Sequence, residues 1–219
     1  EALPWRSGRG QLAALAVEMA ERGHGTGGLA RSGPDAQAQT AVAWQESAWP
    51  WTACSPVVMA AVAAGVPVLG GNLPRSQMRA AMADAAWDGH LPAAALSRQY
   101  AALREGHCGL LPESQIGPMA RIQIARDAAM AQTAREAMRP GQAVLLVAGS
   151  GHVLRSIGVP THWSANIKSK VVVAQAGKAQ TATTLIAKDA DAVVETPALP
   201  PRDACAELRQ QWQRPAAAR

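Results

Sequence analysis

Phenylalanine is absent from this 219-residue chain and tyrosine occurs once, so the common ring fillers of a protein core are missing. Hydrophobic content is nevertheless an ordinary 48%, carried by alanine, valine, leucine, methionine and seven tryptophans, which is enough for one sizeable core. Cysteine is scarce too: Cys54, Cys108 and Cys205 lie far apart with no C-x-x-C, which argues against a zinc knuckle and a dithiol redox pair. Two readings of the thiols stay open, one disulfide in an exported protein or buried free cysteines. No apolar run is long enough to span a bilayer, and no signal peptide or lipobox cysteine is visible from Glu1 onward. G-x-S-x-G, a P-loop and a G-x-G-x-x-G after a strand are all missing, and Ser150 stands two residues from His152 on one turn, a poor geometry for a nucleophile and its base. The formal charge is +5, but the arginines are scattered and no basic run is interleaved with aromatics, so no nucleic acid partner is expected. Arg75, Arg79, Arg98 and Arg104 are candidates to meet a carboxylate-bearing ligand.

What is present is most informative at Ala143 to His152, an unbroken apolar run that stops at Gly149-Ser150-Gly151 and delivers a histidine. Such a run predicts a buried parallel strand, and the glycines let the backbone bend at its carboxyl end, where open α/β sheets hold ligands. Leu12 to Met19 predicts a first strand, followed by a glycine-rich loop from Gly23 to Gly28. Ala36 to Ser47 reads as helix, Trp49-Pro50-Trp51 as a turn, and Val57 to Ala64 as a helix opened by Pro56 and closed by Gly65. Val66 to Leu69 reads as a strand, and helices are expected from Pro74 to about Trp87 and from Pro92 to Arg104. Glu113 to Met138 is the longest helical segment, with Ile116, Met119, Ile122, Ile124, Ala128, Met130 and Ala131 as its apolar stripe beside Arg121, Arg126, Asp127 and Arg135. Lys170 to Ala176 and Ala192 to Glu195 are further strands, Arg202 to Trp212 a closing helix, and Pro215 to Arg219 a short low-complexity tail. Strands alternating with helices predict an α/β fold with a mostly parallel sheet flanked by helices and a small helical subdomain.

Glu18, Asn72 and His152 are each expected near the carboxyl end of a strand, so a carboxylate, an amide and an imidazole should share one sheet edge. His107 and Cys108 sit together in a compact apolar loop, too close in sequence to chelate one ion well. His24 and His90 read as surface residues, and His162 has no evident chemical context.

As a set, Glu18 in Val-Glu-Met, Trp49-Pro-Trp51, Gly71-Asn-Leu-Pro74, His107-Cys-Gly-Leu-Leu-Pro112, Arg126-Asp-Ala-Ala-Met130, Gly149-Ser-Gly-His152 with Ile157-Gly-Val-Pro160, and Leu199-Pro-Pro-Arg-Asp203 resemble the ChaN-like haem-binding uptake family of the Tiki superfamily. The resemblance runs in order from about Leu12 to Trp212. It implies a single ChaN-like domain over residues 1–219 with a helical insertion at about 74–140. It also implies haem as cofactor, haem and iron uptake rather than catalysis, and a homodimer. An outer-membrane haem receptor or transport system would be a partner, and the location would be periplasmic or that of a membrane-anchored lipoprotein. Relatives begin with a strand ending in G-E-x-H; this sequence starts after that place, so it reads as an N-terminally truncated member. Relatives also carry a tyrosine where this chain has Cys54, which leaves His152, Tyr100, His107 and Cys54 as candidate haem ligands. The alternative the resemblance implies is a metal-dependent hydrolase of the Tiki type, with Glu18 and His152 at a divalent metal, and a third reading is a degenerate, non-catalytic member that binds a partner.

Overall fold

The computed structural model describes residues 10–177, 188–198, 200 and 203–213. The tail from Pro215 to Arg219 and most of Leu199-Pro-Pro-Arg-Asp203 lie outside the described residues. The chain divides into two compact units, the first made of Glu1–Arg79 with Ala125–His152 and the second of Ala80–Ile124 with Val153–Arg219.

The first unit is built on β1 (Leu12–Glu21), whose residues are buried along almost its whole length. A strand buried on both faces cannot alternate polar and apolar residues, which is why this one reads as a continuous apolar run. After β1 come α1 (Asp35–Ala41), α2 (Trp51–Ala63) and β2 (Val68–Asn72). The chain then runs through α3 (Arg75–Ala83), a 3-10 helix (Ala85–Gly89), α4 (Ala93–Gly106) and α5 (Glu113–Ala137) before β3 (Ala143–Val147). The sheet order is β2-β1-β3, and both pairings are parallel. The chain therefore leaves β1 to one side for β2 and returns to its other side for β3, so the winding reverses at β1.

Tryptophan does here what phenylalanine would elsewhere. Trp51 is buried against the cluster of Leu15, Val17, Val42, Val58 and Val68, with Trp44 and Trp49 packed on it. The Trp44 and Trp51 rings meet edge to face at 5.0 Å. Their indole N–H groups are satisfied by the Trp49 carbonyl, 2.7 Å from Trp44, and by the Asp35 carboxylate at Trp51.

The expected turn at Trp49-Pro50-Trp51 is instead the start of α2: Pro50 is its N-cap, and the Glu46 carboxylate accepts the Trp51 backbone N–H at 3.1 Å. Pro56 consequently lies inside the helix and does not open it. Helix α1 stops at Ala41, short of Ser47, because Ala43 turns to a left-handed φ of 48°. Helix α3 stops at Ala83, short of Trp87, because the Asp84 carboxylate accepts the Ala86 N–H at 2.9 Å and starts the 3-10 helix. Strand β2 begins at Val68 and carries two glycines that sequence pattern places beyond it. Gly70 is required there: a Cβ would lie 2.0 Å from the Glu21 carbonyl oxygen, where the β1–β2 register shifts.

In the second unit, Leu103 of α4 packs on Ile116 and Ala120 of α5, and a second cluster gathers Leu91, Ala95, Ile124, Leu154, Ile157, Val171 and Val173. β4 (Val172–Ala176) and β5 (Ala192–Thr196) pair in parallel from Val172↔Ala192 to Ala176↔Thr196, so β4 begins two residues later than Lys170. After them comes a helix at Ala204–Gln213. A disulfide joins Cys108, in the turn after α4, to Cys205 of that helix, and Cys54 is free, which resolves the two readings of the thiols into one of each. Closing a loop of 97 residues removes unfolded-chain entropy on the order of 4–5 kcal/mol.

Gly70→Ala should destabilise the protein by about 3 kcal/mol or more, because the methyl group meets backbone that can yield only by parting two strands. Gly27→Ala, with nothing within 4 Å of its Cβ, should fall within about 0.5 kcal/mol of wild type. Urea denaturation checks both, and equal midpoints for the two variants would refute the close approach.

Candidate functional site

The reversal at β1 creates a crevice position at the carboxyl ends of β1 and β3, and the first unit places a polar network there. Glu18 projects from β1 with its side chain 5% exposed. Its Oε1 accepts a hydrogen bond from Arg126 Nη2 at 2.5 Å, and its Oε2 accepts the Gly149 backbone N–H at 2.6 Å. Asn72, the last residue of β2, donates from Nδ2 to the Glu18 carbonyl at 2.9 Å and accepts Arg126 Nε at its Oδ1, also at 2.9 Å. His152, in the short helix after β3, has Nδ1 2.6 Å from Asp127 Oδ1 and Nε2 3.5 Å from Glu18 Oε1. The three residues expected to converge do so.

Arg126 and Asp127, both on α5, complete the network, although the strand-end rule does not point to them. Sequence pattern places Asp127 on the polar side of α5, whereas it is 2% exposed. A signal existed: Ala120, Ile124, Asp127, Ala131 and Ala134 recur at alternating steps of four and three, the spacing of one buried helix face. A carboxylate on that face needs a partner, and the imidazole supplies it.

The electrostatics follow from burial. Desolvation pushes the Asp127 carboxyl up to about 6, against the opposing pull of the His152 hydrogen bond and charge and of Arg126. The Asp127–His152 contact fixes the imidazole's orientation and leaves Nε2 directed at Glu18, an arrangement also used to steady histidines at metal and acid–base sites. Here, however, the cation that meets Glu18 is the Arg126 guanidinium. Both Glu18 oxygens are engaged within the protein, and among the described residues no three histidines, cysteines, aspartates or glutamates gather to hold a metal ion. A divalent metal at Glu18 and His152 is not supported by these contacts.

The four candidate haem ligands fall in different surroundings. His152 is only 12% exposed and belongs to the network just described. Cys54 is half-buried on α2, and burial, then the Glu46 charge, push its thiol up, away from the thiolate form that binds iron. Tyr100 and His107 belong to the second unit and lie seven residues apart, two turns along α4 and its C-cap, on one side of the helix with Leu103 and Arg104. His107 Nδ1 is 2.8 Å from the Leu103 carbonyl oxygen. A carbonyl can only accept, so Nδ1 carries the proton and Nε2 is the nitrogen left to offer a lone pair to iron. Both residues are half-buried, and Tyr100 packs with the partly buried Leu96, Leu111 and Met119 on Leu103, Ile116 and Ala120. This set of a pre-oriented imidazole, a phenol and apolar side chains fits a haem.

The arginines are mostly committed. Arg98 binds Asp189 at 2.7 Å and Ser156 at 2.6 Å, and Arg104 binds Glu113 through Nε and Nη2. Arg75 and Arg79 are exposed on α3. His24 is exposed as expected, but His90 is half-buried against His162, a departure from its reading as a surface residue.

Arg126→Met should cost about 3–5 kcal/mol, because Glu18 would stay buried without its cation. Exposed Arg135→Met on the same helix should stay within about 0.5 kcal/mol of wild type. Equal urea midpoints for the two would show that the Glu18–Arg126 pair carries no more than a surface charge.

A search of the curated proteins found no match. Among solved structures the chain is similar to one described as cofacial heme binding to ChaN of Campylobacter jejuni, with 21% identity and a TM-score of 0.63 over 87% of this chain and 76% of that one. At that identity the likeness concerns the fold, an α/β architecture with a mostly parallel sheet. A model of the family described as haem-binding uptake, Tiki superfamily, ChaN matches residues 2–162, most of the sequence. The chain therefore belongs to the ChaN family of haem-binding uptake proteins in the Tiki superfamily.

Proposed function

We propose that this protein binds haem for haem and iron uptake, and that it holds the macrocycle on the Tyr100–His107 side of α4 with His107 Nε2 as axial ligand. The observation that carries this reading is the His107 Nδ1–H donated to the Leu103 carbonyl at 2.8 Å, which presets the ring for iron. His107 combines partial exposure with an Nδ1 held by a backbone carbonyl, whereas His152 Nε2 faces Glu18; Tyr100 is the phenolate alternative on the same face. Bound there, haem would supply a ferric centre for an anionic or imidazole ligand and two propionates for cations. Arg104 is suited to one propionate, since its present partner Glu113 is 71% exposed and easily exchanged.

The Cys108–Cys205 disulfide supports residence in an oxidising compartment, consistent with a periplasmic or membrane-anchored location. A homodimer, and hand-over to an outer-membrane receptor or transport system, belong to the same proposal, supported by family membership.

Titration with haemin, followed by its visible absorption, tests the reading. Wild type should give a saturable, shifted Soret band. His107→Ala should weaken binding at least about tenfold and change the band positions, while Tyr100→Phe and Cys54→Ser leave the spectrum as in wild type. A spectrum altered by Tyr100→Phe and not by His107→Ala would move the ligand to the phenolate. A spectrum indistinguishable from free haemin in wild type would defeat the proposal.

A further inference from the structure

Outside the network and the His107 face, the second unit holds one more pair of titratable rings. His90 follows the Ala85–Gly89 helix, and His162 ends a second 3-10 helix at Val159–His162. Their imidazoles stack at 3.9 Å with planes 7° apart, and Trp87 meets His162 edge-on at 6.5 Å. His90 Nε2 is 3.0 Å from Thr161 Oγ1, whose own proton goes to the Gly158 carbonyl at 2.8 Å. The imidazole is therefore the donor. His162 bonds the Ile124 backbone, while its Nε2 is buried and has no hydrogen-bond partner.

We propose that His90 and His162 form an acid-released latch that holds the Val159–His162 turn against the chain at His90. Neutral rings stack and tolerate burial, whereas a second proton would put two like charges face to face at van der Waals distance. Among the described residues neither ring has a carboxylate as a partner. Asp88 of the first 3-10 helix is tied to Arg121 of α5 at 2.7 and 2.8 Å, Asp84 caps Ala86, and Asp189 is taken by Arg98 of α4 and Ser156. The charge that acts on His162 is that of His90. Burial first, then His90, lowers His162 from 6.5 to about 4, and burial lowers His90 as well.

The sign is fixed by those directions. A histidine whose folded value lies below its unfolded one takes its proton first in the unfolded chain, so stability falls as pH drops below about 6.5 and the loss levels off near 4. Above pH 7 the pair contributes no pH dependence.

The test is a histidine titration by NMR from pH 8 to 4, together with thermal melts across the same range. In wild type the His162 ring should titrate at about 4, against 6.5 for an ordinary histidine, with the Trp87 indole resonance moving in the same step. His90→Phe keeps a flat ring and removes the facing charge, so His162 should titrate upward by roughly 0.5 unit. His162→Gln keeps a donor for Ile124 and cannot titrate, so its Tm should fall less than that of wild type between pH 6.5 and 4. An ordinary titration of His162, or one unmoved by His90→Phe, would overturn the proposal. So would equal loss of Tm in wild type and His162→Gln; if that variant does not fold, the His90→Phe shift decides alone.

Discussion

The Glu18–Arg126 ion pair is the constraint on which the first unit turns. A carboxylate on the central, doubly buried strand of a parallel sheet is tolerable only if every oxygen is answered, because an isolated buried charge costs several kcal/mol. Arg126 answers one oxygen and the Gly149 amide the other. In doing so they bring α5 to the sheet edge and set the turn that carries His152. Asn72 spans β1, β2 and Arg126 with both ends of its amide. Three strands and one helix are thereby bound at one polar junction, placed where the β2-β1-β3 order reverses.

A fully engaged network is a poor place for a cargo. His152 looks the most functional residue by sequence, since glycines deliver it at a strand end. The same delivery also suits a residue that pairs with Asp127 and closes the junction. The proposed ligand is instead His107, which is half-buried and whose Nδ1 is held by a neighbouring carbonyl. Its turn is also anchored covalently. Cys108 takes a left-handed φ of 55°, a costly conformation for a residue with a Cβ, and the disulfide to Cys205 holds it there. The disulfide thus stiffens the chain next to the proposed ligand as well as closing a long loop.

The two histidine environments of the second unit differ in what their nitrogens find. His107 has a carbonyl acceptor at one nitrogen and keeps a lone pair for a metal centre. His90 and His162 are turned on each other, with a buried, unpartnered nitrogen on His162 and the neighbouring Asp88 already committed to Arg121. One arrangement suits the iron ligation proposed for His107, and the other makes a ring resist a proton.

The parallel α/β class and the positions of the β1, β3 and α5 segments were legible in the residues, because buried strands read as continuous apolar runs and a long helix keeps its 3.6-residue period. The convergence of Glu18, Asn72 and His152 was legible too, as a rule about strand ends. Element boundaries were less so: Glu46 capping Trp51 and Asp84 capping Ala86 are side-chain events that hydrophobic pattern does not carry. What the sequence by itself determined is the fold class, the family and the short list of chemically capable residues. Only the tertiary structure decided their roles, because burial and hydrogen-bond partners come from segments distant in the chain. Arg126 lies 108 residues from Glu18 and Asp127 25 from His152, and the stacked rings are 72 apart. No local pattern specifies which of these groups meet.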